Sequence, residues 1–188
     1  MTDQLSVPME FQTLEGVFDA KPSTMTKEMF IAVFGSVYEH SAWVAEQAWQ
    51  AMSHKNSLTD YDKKEHLARL LFDVVEQSTN DTKLALLRAH PDLAGKAALA
   101  GEVTQDSSSE QAGAGLDQCT PEELMRFTDY NDRYKSRFGF PFIMAVKGAT
   151  KEAILSAFEQ RIHHSSQEEF KMAMRQVHQI ARFRLAEK

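Results

Sequence analysis

Three side chains far apart in the chain have the types needed to work on a small polar molecule: the imidazole of His90, the carboxylate of Glu110 and the guanidinium of Arg184. His90 precedes Pro91, and proline disfavours helical geometry in the residue before it, so a helix is expected to end near His90 with the imidazole facing a loop. Histidine titrates near neutral pH and can exchange protons or hydrogen-bond a substrate oxygen. A helix C-terminus favours its protonated form. The plainer role for such a histidine is to cap the last carbonyls. Glu110 lies three residues after Ser107, the spacing of a capping box. An ionised carboxylate only accepts hydrogen bonds, so Glu110 also suits an N–H-rich ligand such as a ureide or a cyclic urea.

Arg184 is singled out by geometry. Phe170, Ala173, Met174, Val177, Ile180 and Ala181 recur at three and four residues and form one apolar stripe on the last helix. The 3.6-residue period places Arg184 inside that stripe and points Arg182 well away from it. An unpaired buried charge is costly. Arg184 therefore snorkels from the helix end or pairs with a protein carboxylate, or else it meets a ligand's oxygens in a cleft. On geometry alone the first of these is the ordinary case. A fourth feature, Phe138-Gly139-Phe140-Pro141-Phe142-Ile143, is a loop in which glycine and proline stop regular structure. Its aromatics can seal the core, or its main-chain groups can meet a flat heterocycle beside an apolar wall.

The elements that must position these residues are helical throughout. The chain has 8 Gly and 5 Pro, and no sustained period-two alternation. Helices are predicted at about 26–35, 37–53, 60–77, 81–89, 108–115, 121–138, 151–163 and 166–186. Thr120-Pro121-Glu122-Glu123 carries a full N-terminal cap, Thr150 is a second start, and Ser166 with Glu169 is a third. No repeats occur, and the most linker-like stretch, Gly101 to Cys119, is too short to separate two domains. The expectation is an all-α, single-domain compact bundle of about eight helices spanning residues 1–188, with residues 1–20 an irregular N-terminal segment.

The 188 residues carry 27 acidic against 21 basic side chains, a net charge of −6, which argues against nucleic acid or an anionic membrane as the main partner. A hydrophobic fraction of 43% is ordinary for a globular protein, and no apolar run approaches a membrane span. Cys119, alone, cannot form an internal disulfide, and it has no activating neighbour that would make it a nucleophile. His40, His54, His66, His163, His164 and His178 show no metal-ligand spacing, so no metal site is expected. Without a signal peptide or a peroxisomal C-terminus, the cytoplasm is the expected location.

Taken together and in order, the motifs resemble the OHCU decarboxylase family, whose substrate is 2-oxo-4-hydroxy-4-carboxy-5-ureidoimidazoline. The resemblance runs from about Thr26 to Leu185. It includes Val37-Tyr38-Glu39-His40-Ser41-Ala42-Trp43 on the second predicted helix, the His-Pro-Asp-Leu-Ala segment from His90, and Ser107-x-x-Glu110-Gln111 with Ala114-Gly115-Leu116. It continues through Phe138 to Ile143 and ends with Ile180-Ala181-x-x-Arg184-Leu185. Two positions depart from the family's usual pattern: His164 stands where asparagine is common, and Asp106 where glutamate is. The resemblance implies an all-α fold, a homodimer, and no metal or organic cofactor. It also implies His90 as the catalytic residue, with Pro91, Ser107, Glu110, Phe140, Phe142, Ile143 and Arg184 in the substrate site. The substrate's conjugated ring would serve as its own electron sink. A helical ureide-binding or dimerisation module without catalysis is the alternative.

Overall fold

The computed structural model describes residues 10–54, 57–95 and 101–188. Among these the chain forms eight α-helices: α1 (Lys27–Phe34), α2 (Trp43–Ser53), α3 (Lys64–Glu76), α4 (Asn80–Arg88), α5 (Gln105–Gly113), α6 (Pro121–Phe138), α7 (Lys151–Arg161) and α8 (Ser166–Ala186). The predicted all-α fold is what the chain adopts. Residues 10–20 are irregular apart from an isolated bridge between Val17 and Lys63, and the first nine residues of the expected N-terminal segment lie outside the described ones.

The longest helix, α8, organises the rest, packing against α3, α4 and α6. Its predicted stripe is buried at Ala173, Met174, Val177, Ile180 and Ala181, with Phe170 half-buried beside them, and Leu185 is buried further along the helix. Arg184 is buried with the stripe, as its register requires. Arg182, expected to point away, is buried too. The N-terminal segment and α3 cover that second face, and Arg182 donates to the Gln12 carbonyl at 2.7 Å and to Glu65 at 2.5 Å. A helix enclosed on two sides keeps only a narrow exposed face, here with Lys171 and Arg175, which a one-stripe reading does not anticipate.

Several boundaries shift for local reasons. The predicted second helix begins only at Trp43; residues 37–42 instead form a buried bend in which His40 takes a left-handed φ of 45°. The Ser41 hydroxyl donates to the Glu39 carbonyl at 2.9 Å, an alternative to the helical ladder. The stretch predicted from about 60 opens with a 3₁₀ turn, Leu58–Asp62, before α3 starts. Thr120 and Thr150 cap α6 and α7 as expected, and the Thr120–Glu123 capping box is complete. The α8 box is displaced by one residue, to Ser165 and Glu168. Ser107 is no cap: α5 begins earlier, with the Thr104 hydroxyl accepting from the Ser107 amide at 3.3 Å.

The displacement at α8 leaves Glu169 fully buried, where it anchors a polar cluster. The Arg161 guanidinium, the Tyr134 hydroxyl and His164 Nδ1 all bond to the Glu169 carboxylate. Burial and that carboxylate together raise the Tyr134 pKa well above its ordinary value, so the phenol stays a donor. Arg161 also donates to the Ile143 carbonyl at 2.7 Å and lies 4.3 Å from the centre of the Phe142 ring. The aromatic loop after α6 is thus held from behind. Removing one partner of a buried ion pair strands the other. Glu169→Ala should therefore lower unfolding stability by about 3–5 kcal/mol, read as a drop in the denaturant midpoint at unchanged slope.

Candidate active site

Helix α4 is capped by the Thr79 hydroxyl at its start and ends at Arg88. His90 follows one residue beyond the Ala89 C-cap, where Pro91 turns the chain away. The ring is buried, and Nδ1 lies 3.0 Å from the Leu86 carbonyl. A carbonyl only accepts, so Nδ1 carries the proton and a neutral ring keeps its lone pair on Nε2. Nε2 makes no hydrogen bond among the described residues. His90 is therefore a carbonyl cap whose second nitrogen is free for other chemistry.

The expected preference for the protonated form is overturned. Burial lowers the His90 pKa from 6.5 to about 4; the Leu86 carbonyl and the Glu39 carboxylate oppose this without cancelling it. The helix-end field is a modest effect, and desolvation of a buried imidazolium exceeds it.

His90, Pro91, Ser107, Glu110, Phe142, Ile143 and Arg184 line one cavity of about 30 Å³, together with Leu93, Gln111, Met144, Val146 and Ile180. Room of that size holds roughly one water. Phe140 is not among the lining residues; its ring is buried edge-on against Tyr134 and stacks on Phe138. The walls are cross-tied. Asn131 donates to the Leu93 carbonyl at 2.9 Å, Lys135 to Asp92 at 2.6 Å, and Arg88 Nε to the Gly139 carbonyl at 2.9 Å. Gly139 ends α6 in the left-handed region, with φ of 78°, a position that suits glycine. Ala94, held by Gln111 through its amide at 2.9 Å, has a left-handed φ of 49°. Together with His40 this puts strained backbone on both sides of the site, at about 1–3 kcal/mol each.

Arg184 is the most heavily bonded side chain in the site. Nε and Nη2 donate to the two oxygens of Glu110 at 2.7 and 3.0 Å, a bidentate pair. Nη2 also reaches Ser107 Oγ at 3.3 Å, and Nη1 donates to Glu39 at 2.8 Å and to the Ser36 carbonyl at 3.2 Å. Of the two expectations for this residue the structure shows the first: Arg184 pairs with protein carboxylates, and it does so at the edge of the cavity. Its desolvation is outweighed by the two acids, so it remains charged.

Glu39 is a participant that the sequence reading quoted within a motif but did not place in the site. It is 1% exposed; burial raises its pKa, but the Thr104 hydroxyl at 2.6 Å and Arg184 more than offset this, leaving it lowered and ionised. The available signal was the charge balance, since a guanidinium on a core stripe calls for more than one acceptor. Among the described residues no group of three His, Cys, Asp or Glu could hold a metal ion, and no helix is long and apolar enough to cross a membrane. A larger hollow of about 490 Å³ lies beside Tyr38, His178 and Arg182 and contains none of the predicted site residues.

The family model described as OHCU decarboxylase matches residues 23–186. The 2-oxo-4-hydroxy-4-carboxy-5-ureidoimidazoline decarboxylase of Haloferax volcanii is 40% identical over 86% of this chain and 89% of its own. A putative decarboxylase of the same name from Homo sapiens is 30% identical over 89% and 92%. The crystal structure of an (S)-allantoin synthase superposes with a TM-score of 0.69 at 34% identity, covering 88% of this chain and 51% of that one, so this chain spans about half of it. A second structure, OHCU decarboxylase in the presence of (S)-allantoin, shares the fold with a TM-score of 0.60 at 23% identity, over 87% of this chain and 97% of that one. By the extent of the family match and by these identities, the chain belongs to the OHCU decarboxylase family.

Proposed function

We infer that the protein decarboxylates 2-oxo-4-hydroxy-4-carboxy-5-ureidoimidazoline, giving (S)-allantoin and carbon dioxide in urate breakdown. Family membership supports the reaction, and the observation that carries the residue roles is the meeting of His90, Glu110 and Arg184 around one small cavity. The carbon–carboxylate bond breaks and leaves its electron pair on the ring carbon. The adjacent imine accepts that pair and spreads the charge onto ring nitrogen and the conjugated carbonyl. The ring nitrogen takes up one proton and the carbon bearing the ureido group takes another on one face, while the neighbouring hydroxyl loses its own and becomes the second carbonyl. The protein's task is to orient and polarise.

The charge states support one arrangement of roles. A neutral His90 with its lone pair on Nε2 accepts a hydrogen bond from the substrate hydroxyl; facing the carboxylate, the same lone pair would be repelled. Arg184 supplies donors for the substrate's ring or carboxyl oxygens, an interaction that strengthens as charge moves into the ring in the transition state. Glu110 accepts from the ureido N–H groups. Pro91, Phe142 and Ile143 give the flat ring an apolar wall. A homodimer, a cytoplasmic setting and independence of any metal or organic cofactor belong to the same proposal; the family resemblance supports them.

The trial is to generate the substrate in situ from urate with the two preceding enzymes and to follow the circular dichroism of allantoin. The purified protein should accelerate appearance of the chiral product, and His90→Ala should lower turnover by about 10²-fold or more with the helical spectrum unchanged. Binding of ureides without acceleration would identify a ureide-binding module instead, and indifference to alanine at His90, Glu110 and Arg184 would identify a scaffold.

A second expectation concerns pH. Between pH 6.5 and about 4 the unfolded chain takes up a proton that buried His90 refuses, so stability is complete above that window and is lost as pH falls through it. His178, also lowered by burial, adds to the same slope. Thermal melts of His90→Gln across this window should show a shallower loss than the wild type; an equal slope would mean that His90 is not the buried neutral imidazole described.

A further inference from the structure

The bonds of Arg184 are saturated before any substrate arrives. A guanidinium has five N–H donors. Here they meet Glu110 twice, Ser107 Oγ, Glu39 and the Ser36 carbonyl. A substrate oxygen can reach the group only by displacing one of these. Something must move, and the two carboxylates are not equivalent candidates. The Glu39 side chain is 1% exposed, sits in the buried bend before α2, and is fixed a second time by the Thr104 hydroxyl at 2.6 Å. The Glu110 side chain is 26% exposed, lines the cavity, and has only Arg184 as a hydrogen-bond partner among the described residues.

Resting on the assignment of Glu110 and Arg184 to the substrate site, we propose that Glu39 is a positioning residue, the permanent counter-ion of Arg184, and that Glu110 is its exchangeable one. On binding, the Glu110 carboxylate turns from the guanidinium to the ureido N–H groups. The vacated edge, Nε and Nη2, then receives substrate oxygens in the same bidentate geometry that Glu110 used. Glu39 makes this exchange possible. Without it, departure of Glu110 would leave a buried cation with no anion, a state that costs several kcal/mol. With it, Arg184 keeps one full ion pair, its Nη1 stays bonded to Glu39 and Ser36, and the guanidinium plane stays aimed.

The consequence separates two ligands of one shape. The substrate is an anion and brings its own negative charge to Arg184; allantoin is neutral and brings none. Glu39→Gln should therefore weaken inhibition by (S)-allantoin by about tenfold or more, while KM for the anionic substrate changes by less than about threefold. Glu39→Asp, which keeps the charge, should restore allantoin inhibition towards the wild-type value. A merely structural role would weaken both ligands alike, so parallel changes in the two constants, or no change in either, overturn the proposal. A variant-free measurement covers the case in which Glu39→Gln does not fold: the Arg184 Nε–H resonance should leave its Glu110-bonded position when the wild-type protein is saturated with allantoin, and a resonance that stays in place overturns the exchange. The underlying site assignment fails differently. If His90→Ala, Glu110→Gln and Arg184→Lys all retain turnover, the site is wrong; if they lose it while the Glu39 expectations fail, only the exchange is.

Discussion

A guanidinium buried between two carboxylates is the constraint on which the rest of this molecule turns. Arg184 sits near the end of the last helix, on its apolar stripe, and its hydrogen bonds reach the bend before α2 and the middle of α5, at residues that precede it by 145 and 74 positions. Glu39 could not be buried without the cation, and the cation could not remain on that stripe without acids. Packing and charge therefore specify each other. The stripe brings Arg184 inward, and the bonds it makes draw Glu39 and Glu110 to one point at the edge of the core.

A second buried ionic cluster does a different job. Glu169 gathers Arg161, Tyr134 and His164, none of which lines the cavity, and through the Ile143 carbonyl it fixes the loop that forms the apolar wall. One arginine is arranged to exchange partners and the other to keep them. The contrast lies in burial. Glu169 is completely enclosed, whereas Glu110 borders open space. His164 stands where the family commonly has asparagine, and it takes part in this cluster through Nδ1 at 2.8 Å, so the departure from pattern keeps a polar contact with Glu169.

Much of this was legible in the sequence, for physical reasons that can be named. Period and caps gave α6, α7 and α8, since Thr120 with Glu123 and Pro121, and the seven-residue recurrence on α8, are local signals independent of the fold. The stripe alone placed Arg184 inside. The rest depended on contacts between distant segments. Arg182 is buried because an irregular N-terminal segment happens to cover it, and Glu169 is buried because α8 starts one residue earlier than its second serine suggests. The bend at 37–42 arises where a serine hydroxyl competes with a helical ladder that the residue types alone would support. The charge of His90 was misjudged because the helix-end field is readable from Pro91, whereas the depth of burial is not. Glu39 became visible as a site residue only when its partner's five donors could be counted.

The cross-ties around the cavity have one more consequence. The loop after α4 is bonded to α6 at two points, and Arg88 links the end of α4 to the glycine that begins the aromatic loop. Walls joined in this way are braced against one another, and the Glu110 carboxylate, bonded only to Arg184 among the described residues, is a less restrained part of the site. Rotamer hops of a partly exposed side chain take picoseconds to nanoseconds, whereas loops and domains take microseconds or longer. Exchange of the Glu110 carboxylate between guanidinium and substrate belongs to the faster of these scales.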